Sequence, residues 1–229
     1  MRKVVLLLLI TCFIVPGVWS RSVVECFKDM PADLLPGLNT AMKLDMVDFF
    51  NSGKTARMLG LLGSEMELKI LTEDYLMLQT SAASNVQLKL LPLKNGSRIL
   101  AVVNTVKAPA ASSDLEFYNL DWQPIDTLAK PRLSAASFLN QDCLQQKSHV
   151  QNMSIEELNS LYFYEYNFQS GNNFLLVYSS LPDFLGEEVF AGYRDCFNQR
   201  LVLEWTGKGF LYSSSVTSSL NFSLLRCIS

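Results

Sequence analysis

The sequence predicts a two-layer α+β protein, in which an N-terminal helix pair packs on an antiparallel sheet and a second strand-rich module with one helix follows. Apolar residues recur every three or four positions between residues 30 and 53, as is typical of helices that face a core. From residue 65 the apolar period changes to two, as is typical of half-buried strands. A helix pair buries its apolar face only against a sheet or more helices, so the two patterns indicate one packed unit.

Residues 1–20 have the features of a cleavable signal peptide. Arg2 and Lys3 precede an apolar run over residues 4–15, and a proline–glycine pair then leads to the small residue Ser20. A run of about a dozen residues is too short to span a hydrocarbon core of ~30 Å. We therefore expect cleavage after Ser20 and export to the periplasm, the cell surface or the medium, without a membrane-spanning segment in the exported chain.

The composition is that of a globular protein that does not bind nucleic acid. Hydrophobic residues make up 49% of the chain, which is enough to form a core. Removal of the signal peptide lowers the number of basic residues from 19 to 17 against 22 acidic residues, so the exported chain has a formal charge of −5. This negative charge, without a basic stripe, argues against a nucleic-acid partner.

The first module is predicted over residues 21–126 and begins with helices. Residues 30–35 are expected to form one helical turn that ends at a proline–glycine pair. Asn39 is expected to cap a second helix that stops at Gly53. The inward face of this helix is expected to carry Met42, Met46, Phe49 and Phe50, and its outward face Lys43, Asp45 and Asp48.

An antiparallel sheet of about five strands is predicted after the helices. Alternating apolar residues place its strands near residues 65–70, 75–80, 86–90, 99–106 and 115–120. In the third of these, Gln87 and Lys89 alternate with the apolar residues. Asn95 and Gly96 both tolerate positive φ, which predicts a hairpin turn before the fourth strand.

The second module is predicted over residues 153–229, after a linker or irregular segment at residues 127–152 that has little periodicity. Ser154 and Glu157 form a capping box for a short helix. A helix is expected from about residue 183 to 197, with a hairpin on either side at residues 161–179 and 201–212.

Four cysteines remain after cleavage, namely Cys26, Cys143, Cys196 and Cys227. In an oxidising compartment they allow two disulfides in any of three pairings. Cys196 with Cys227 is the favoured pair because both lie in the last third of the chain, although a strictly anaerobic host could leave all four as buried thiols. None has the spacing of a metal site, so we expect no metal ligands among them.

The chain lacks the residues of the common catalytic sites. His149 is the only histidine, and it lies in a polar stretch, so the chain lacks the residues for a multi-histidine metal site and offers little support for a Ser-His-Asp or Cys-His site. Neither a GxSxG, a P-loop nor a GxGxxG motif occurs, and we expect no cofactor. A hydrolase could use paired acids, and the candidate pairs are Glu73–Asp74, Glu156–Glu157 and Glu187–Glu188. Hydrolase carboxylates face each other across a cleft, whereas adjacent acids are typical of solvated surfaces and helix starts.

An aromatic run provides the candidate binding site. Tyr162, Tyr164, Tyr166 and Phe168 alternate along one strand and therefore share a face. Such a ladder could stack sugars or contact a protein partner. The alternative is that this face belongs to the core, because strands select aromatic residues for packing as well.

Several short motifs in this chain resemble those of an uncharacterised family of exported proteins from Bacteroides-type bacteria. In the first half they are Met30-Pro31, Leu34-Leu35-Pro36, Asp45-Met46-Val47-Asp48-Phe49, Leu71-Thr72-Glu73-Asp74-Tyr75, Lys89-Leu90-Leu91-Pro92, Asn104-Thr105-Val106, Ala108-Pro109, Phe117-Tyr118 and Asp121-Trp122. In the second half they are Leu181-Pro182-Asp183-Phe184, Leu203-Glu204-Trp205 and Gly209-Phe210. The resemblance implies a Gram-negative periplasmic or outer-membrane-associated setting, and no catalytic residue follows from it.

Together these features favour a non-enzymatic binding or accessory module of the bacterial cell envelope, with an envelope protein or a glycan as partner. The alternative is a hydrolase of envelope or dietary polymer that uses paired carboxylates. The expected layout is similar to the helix pair and sheet of β-lactamase inhibitor proteins, which is a likeness of arrangement alone.

Overall fold

The computed structural model of the chain describes residues 21–146 and 163–213. These residues form two antiparallel sheets and a small number of helices. The first sheet has six strands in sequential order: β1 (Arg57–Leu59), β2 (Glu65–Leu71), β3 (Tyr75–Ser81), β4 (Ser84–Pro92), β5 (Arg98–Lys107) and β6 (Ala111–Tyr118). The second has the order β10-β9-β8-β7, with β7 at Tyr164–Phe168, β8 at Phe174–Ser179, β9 at Arg200–Trp205 and β10 at Phe210–Tyr212.

The helices are α1 (Val23–Lys28), α2 (Thr40–Asn51), α3 (Gln141–Gln146) and α4 (Leu181–Phe190), with short 3-10 turns at Ala135–Ser137 and Arg194–Cys196. Residues 30–35 form the single turn that the sequence predicts, in which the Leu35 N–H donates to the Pro31 carbonyl at 3.2 Å, although the turn does not extend into a regular helix. The preceding helix α1 was not predicted, although its capping box of Ser22 and Glu25 is visible in the sequence. No helix in the part of the chain that is described has the length and apolarity to cross a membrane.

Helix α2 begins where the sequence predicts, because the Asn39 side chain accepts a hydrogen bond from the Met42 N–H. Its faces differ from the prediction at two positions. Lys43 is buried and its Nζ donates to the Met30 carbonyl at 2.5 Å, whereas Phe49 is 39% exposed. Desolvation lowers the pKa of Lys43. The aliphatic stem of lysine packs like an apolar residue. Since the Met30 carbonyl accepts a hydrogen bond from the ammonium group, the whole Lys43 side chain can be buried.

The strands from β2 to β6 lie close to the predicted positions, and β1 is one strand more than expected. The hairpin turn at Asn95 is confirmed: Gly96 has φ of +84°, and the Asn95 side chain accepts a hydrogen bond from the Ser97 N–H. The hairpins between β7 and β8 and between β9 and β10 also follow the predicted pattern.

The six-stranded sheet is covered on both faces. Val86, Leu88 and Leu90 of β4 pack with α1 and α2 in one buried cluster. On the opposite face, residues of β4, β5 and β6 share a second cluster with the four-stranded sheet. The described residues therefore form helix, sheet and sheet layers around shared cores, in place of the predicted two-layer arrangement.

Side chains of the large sheet bind the backbone of edge strand β7. Gln87 of β4 is completely buried; its Nε2 donates to the Tyr166 carbonyl at 2.8 Å, and its Oε1 accepts from the Phe168 N–H at 2.9 Å. Ser113 of β6 accepts from the Tyr166 N–H at 3.0 Å. These bonds satisfy backbone groups that an edge strand would otherwise leave unpaired.

The first part of the segment expected as a linker packs against the fold. Phe138 is completely buried and belongs to the cluster between the two sheets. Ala129 forms a parallel bridge with Gly209. Further along, the helix predicted to reach residue 197 ends at Phe190 and is interrupted at Gly186, whose φ is +72°.

Candidate functional site

A polar cleft of about 500 Å³ lies where a turn of each sheet meets the other. One wall is the β2–β3 turn, with Thr72, Glu73 and Asp74. Arg98, at the start of β5, lines it as well. The other wall is the β7–β8 turn, which contributes Ser170, Gly171, Asn172 and Asn173. Every lining residue is polar or glycine.

Lys89 joins the two walls from below. Its side chain is completely buried, and its Nζ lies 2.5 Å from Asp74 Oδ2 and 2.7 Å from the Gln169 carbonyl. The sequence pattern had indicated only that Lys89 alternates with apolar residues; the second sheet is what encloses it. A buried ammonium needs partners of this kind, because an unpaired buried charge is strongly destabilising.

Asp74 is held in one position by several donors. Besides Lys89, the Gly171 N–H donates to its Oδ1 at 3.3 Å, and the Thr72 hydroxyl donates to the same oxygen at 3.2 Å. Burial opposes ionisation of this carboxyl, but the bond from Lys89 and the Lys89 charge outweigh it, so the pKa of Asp74 lies below its usual value. Asp74 is therefore a fixed, charged acceptor at the base of the cleft.

The two turns have rigid local geometry. In the first, the Tyr75 N–H donates to the Thr72 hydroxyl at 3.1 Å, and the Thr72 N–H donates to the Tyr75 carbonyl at 2.8 Å. In the second, the Phe174 N–H donates to Asn172 Oδ1 at 2.9 Å, and Gly171 has φ of +73°. Threonine and asparagine side chains that bond to nearby backbone stabilise such turns, so the cleft walls are formed before any ligand binds.

The predicted aromatic ladder is part of the core. Tyr164, Tyr166 and Phe168 are 7%, 8% and 4% exposed and pack in the cluster between the two sheets. Burial raises the pKa of Tyr166 to about 12. The structure therefore supports the packing alternative for these three rings, and Tyr162 lies outside the described residues.

The favoured disulfide is corrected by the structure. Cys196 is bonded to Cys143, with a Cα–Cα distance of 5.5 Å, and Cys227 lies outside the described residues. The backbone explains the pairing, because an antiparallel bridge joins Leu139 to Phe197 and places both cysteines beside it. Cys26 is a buried free thiol in the helix layer.

The candidate acids that lie among the described residues do not face each other across a cavity. Glu73 and Asp74 lie on the same wall of the cleft, opposite serine, glycine and asparagine. Glu187 forms an ion pair with Arg194 on the surface. Glu156, Glu157 and His149 lie outside the described residues. Within the described ranges, no group of three or more His, Cys, Asp or Glu residues is placed to bind a metal ion.

In the sequence, Glu73 and Asp74 stand out as an acid pair, but the cleft that they line is not evident. The available signal was two short polar turns, each rich in residues that bond to their own backbone, at residues 72–74 and 170–173. The contact between these two turns depends on how the two sheets pack, and a local sequence pattern does not contain that information.

Comparison with known proteins gives the fold and the family. A domain of an uncharacterized protein from Porphyromonas gingivalis W83 has a similar structure, with a TM-score of 0.68 and 19% sequence identity over 85% of this chain and 99% of that chain. Likeness at this identity shows the fold alone. A search of the curated proteins finds no match. A family model described as "Protein of unknown function (DUF3256)" matches residues 16–210, and the chain therefore belongs to this family.

Proposed function

We propose that this chain is an exported, non-enzymatic binding module of the bacterial cell envelope, and that its polar cleft binds a glycan. The observation that carries the proposal is the pre-formed cleft, in which hydrogen bonds hold Asp74 and Asn172 in position. Binding sites that need no reorganisation lose less entropy when a ligand is bound.

The Cys143–Cys196 disulfide supports export. Disulfides of this kind form and persist in oxidising compartments such as the periplasm and are rare in the cytosol. The signal-peptide pattern at residues 1–20 supports the same location. The disulfide and the signal-peptide pattern are both consistent with a protein that is exposed to envelope or extracellular glycans.

The lining of the cleft favours a ligand rich in hydroxyl groups. Glu73 and Asp74 are acceptors, the Arg98 guanidinium is a donor, and the amides of Asn172 and Asn173 are both. A sugar hydroxyl donates and accepts at once, so it matches this mixture. A mainly apolar ligand finds no apolar side chain among the residues that line the cleft.

The same geometry speaks against using the cleft for hydrolysis. A glycosidase places one carboxyl group on each side of the scissile bond, and the two acids here are sequence neighbours on one wall. Asp74 is also engaged by Lys89, Thr72 and Gly171, which leaves it poorly suited to donate a proton.

Binding of the exported chain, residues 21–229, to envelope and dietary oligosaccharides tests the proposal. Hits from a glycan array are measured by calorimetry with the unmodified chain and with Glu73→Gln, which removes one charged acceptor from an exposed position. Loss of a charge-assisted hydrogen bond of about 1.5 kcal/mol weakens binding about tenfold.

Glu188→Gln is the matched control, because Glu188 is an exposed acid of α4 that does not line the cleft. It is expected to leave the affinity unchanged. Absence of binding to every glycan, equal affinity of the Glu73→Gln variant, or release of reducing sugar from a bound glycan would each contradict the proposal.

A further inference from the structure

A second cavity, of about 210 Å³ and with a mixed polar and apolar lining, lies on the same face of the large sheet at the opposite end of β3. Its lining comes from β2, β3, the β3–β4 turn, β4 and the end of β5. Strand β3 runs from Tyr75 to Ser81, which separates this cavity from the cleft by about 20 Å. The two sites are therefore distinct, and the inference does not depend on the function proposed for the cleft.

A buried acceptor without a partner belongs to one of the residues that line the cavity. Asn85 is 7% exposed, and its Oδ1 has no hydrogen-bond partner among the described residues. Leaving such a group unsatisfied is costly, and native structures contain few of them. A ligand that brings a donor would satisfy this oxygen after rotation of the terminal amide, whose torsion is soft.

The neighbouring polar groups are already paired with one another. Ser84 Oγ lies 2.6 Å from Ser81 Oγ and 2.8 Å from Thr80 Oγ1. Gln79 Nε2 donates to the Ser81 carbonyl at 3.1 Å. This network fixes the floor around Asn85 without reaching its Oδ1, so the vacant acceptor position is specific to that residue.

Two lysines supply donors to the same cavity. Lys69 Nζ lies 2.7 Å from Glu67, and Lys107 Nζ lies 2.8 Å from Glu165. Each ammonium has three donors, and these two ion pairs leave each with donors for a ligand oxygen. The acids balance the two positive charges, so the cavity does not select a strongly charged ligand.

We propose that this cavity is a second binding site, which takes a neutral, hydroxyl-rich molecule of the size of a monosaccharide. One hydroxyl donates to Asn85 Oδ1, and neighbouring hydroxyls accept from Lys69 and Lys107. Met77 provides an apolar surface beside them for the carbon face of the ring. A hydroxyl group is neutral and can donate at one of these positions and accept at another.

Nuclear magnetic resonance of the ¹⁵N-labelled exported chain tests the site, with glucose, galactose and N-acetylglucosamine as probes. The backbone amides of Ala83, Ser84 and Asn85 are expected to shift with saturation. Asn85→Leu is expected to weaken binding at least tenfold while its melting temperature stays equal to or above that of the unmodified chain, because the variant removes an unsatisfied buried oxygen.

Two further variants make the test decisive. Lys107→Met changes a half-exposed side chain and is expected to weaken binding several-fold, so it reports on the cavity even if Asn85→Leu fails to fold. Glu73→Gln, in the cleft, is expected to leave saccharide binding at this cavity unchanged. The proposal is overturned if no probe shifts the amides of residues 83–85, or if Lys107→Met binds each probe as tightly as the unmodified chain.

Discussion

Replacement of Gln87 by leucine should show how strongly the packing of the two sheets depends on one side chain. Leucine is similar in size, but it can form neither the 2.8 Å bond to the Tyr166 carbonyl nor the 2.9 Å bond from the Phe168 N–H. Two backbone groups, and the Tyr75 hydroxyl that donates to Gln87 Oε1 at 3.1 Å, then lose their partner in a buried position, at about 1–3 kcal/mol each. Burial of the apolar leucine side chain in place of the amide offsets about 1–2 kcal/mol of this loss. With mid-range values for the three groups, we expect the free energy of unfolding to fall by about 4–5 kcal/mol, and by no less than about 1 kcal/mol.

Urea unfolding followed by tryptophan fluorescence measures this change, because Trp205 is buried in the same cluster as β7. Gln123→Leu is the control, since Gln123 is exposed and its substitution should stay within about 0.5 kcal/mol. A loss below about 1 kcal/mol for Gln87→Leu would show that β7 obtains its hydrogen bonds elsewhere, and would refute the reasoning.

Gln87→Glu separates the two bonds through pH. A protonated carboxyl can still donate to the Tyr166 carbonyl, whereas the carboxylate cannot, and burial raises the pKa of the new carboxyl above its unfolded value of about 4.3. The stability of this variant relative to the unmodified chain is therefore highest below about pH 4, and it falls as the pH rises through the folded-state pKa of the new carboxyl. A variant whose stability does not change between pH 4 and neutral pH would contradict this assignment.

Three further predictions concern other interactions. Cys143→Ser removes a cross-link between residues 53 positions apart, which should lower the free energy of unfolding by about 4 kcal/mol, and reduction of the unmodified chain should reproduce the loss. Asp74→Asn should make stability less dependent on pH in the acid range. The lowered pKa of Asp74 stabilises the fold above the unfolded pKa of about 3.9, and this contribution is lost as pH falls through the folded-state value. Urea midpoints measured from pH 2 to 5 check this prediction. Burial raises the pKa values of Tyr75 and Tyr166 to about 12, so stability should fall as pH rises from about 10 through 12. Ultraviolet titration should show at least three phenols ionising late, because burial and the Glu116 carboxylate also raise the pKa of Tyr118.

Local patterns were sufficient for most of the secondary structure. The alternation at residues 65–70 and 75–80 predicted β2 and β3 because one face of these strands is buried and the other is partly exposed. Asn39 and Gly96 predicted a helix start and a turn because each satisfies a backbone requirement that other residues meet poorly.

Patterns failed where a polar side chain is buried by an element that lies far away in the sequence. Gln87 and Lys89 look like outward-facing residues until a strand 79 or more residues away covers them. Lys43 is also buried against expectation, although its partner, the Met30 carbonyl, is only 13 residues away. Hydrophobic periodicity identifies apolar cores, and it does not identify polar groups that are satisfied by distant backbone carbonyls.

The candidate site was less predictable than the fold. The Tyr164 and Tyr166 pattern could be read as a ladder or as core, because both use alternating aromatic residues, and burial decided between them. The Cys143–Cys196 bond depends on a bridge between segments about 58 residues apart, and cysteine positions alone do not contain that information.

The bonds from Gln87 and Ser113 to β7 have a consequence for dissecting the chain. A fragment that ends near residue 126 would expose Gln87, Lys89 and a wide apolar sheet face to water. A fragment that begins near residue 163 would present β7 as an open strand edge, which is a template for aggregation. Expression of either half by itself should therefore give insoluble material, and co-expression of the two halves should give a soluble complex held by the bonds from Gln87 and Ser113 to β7.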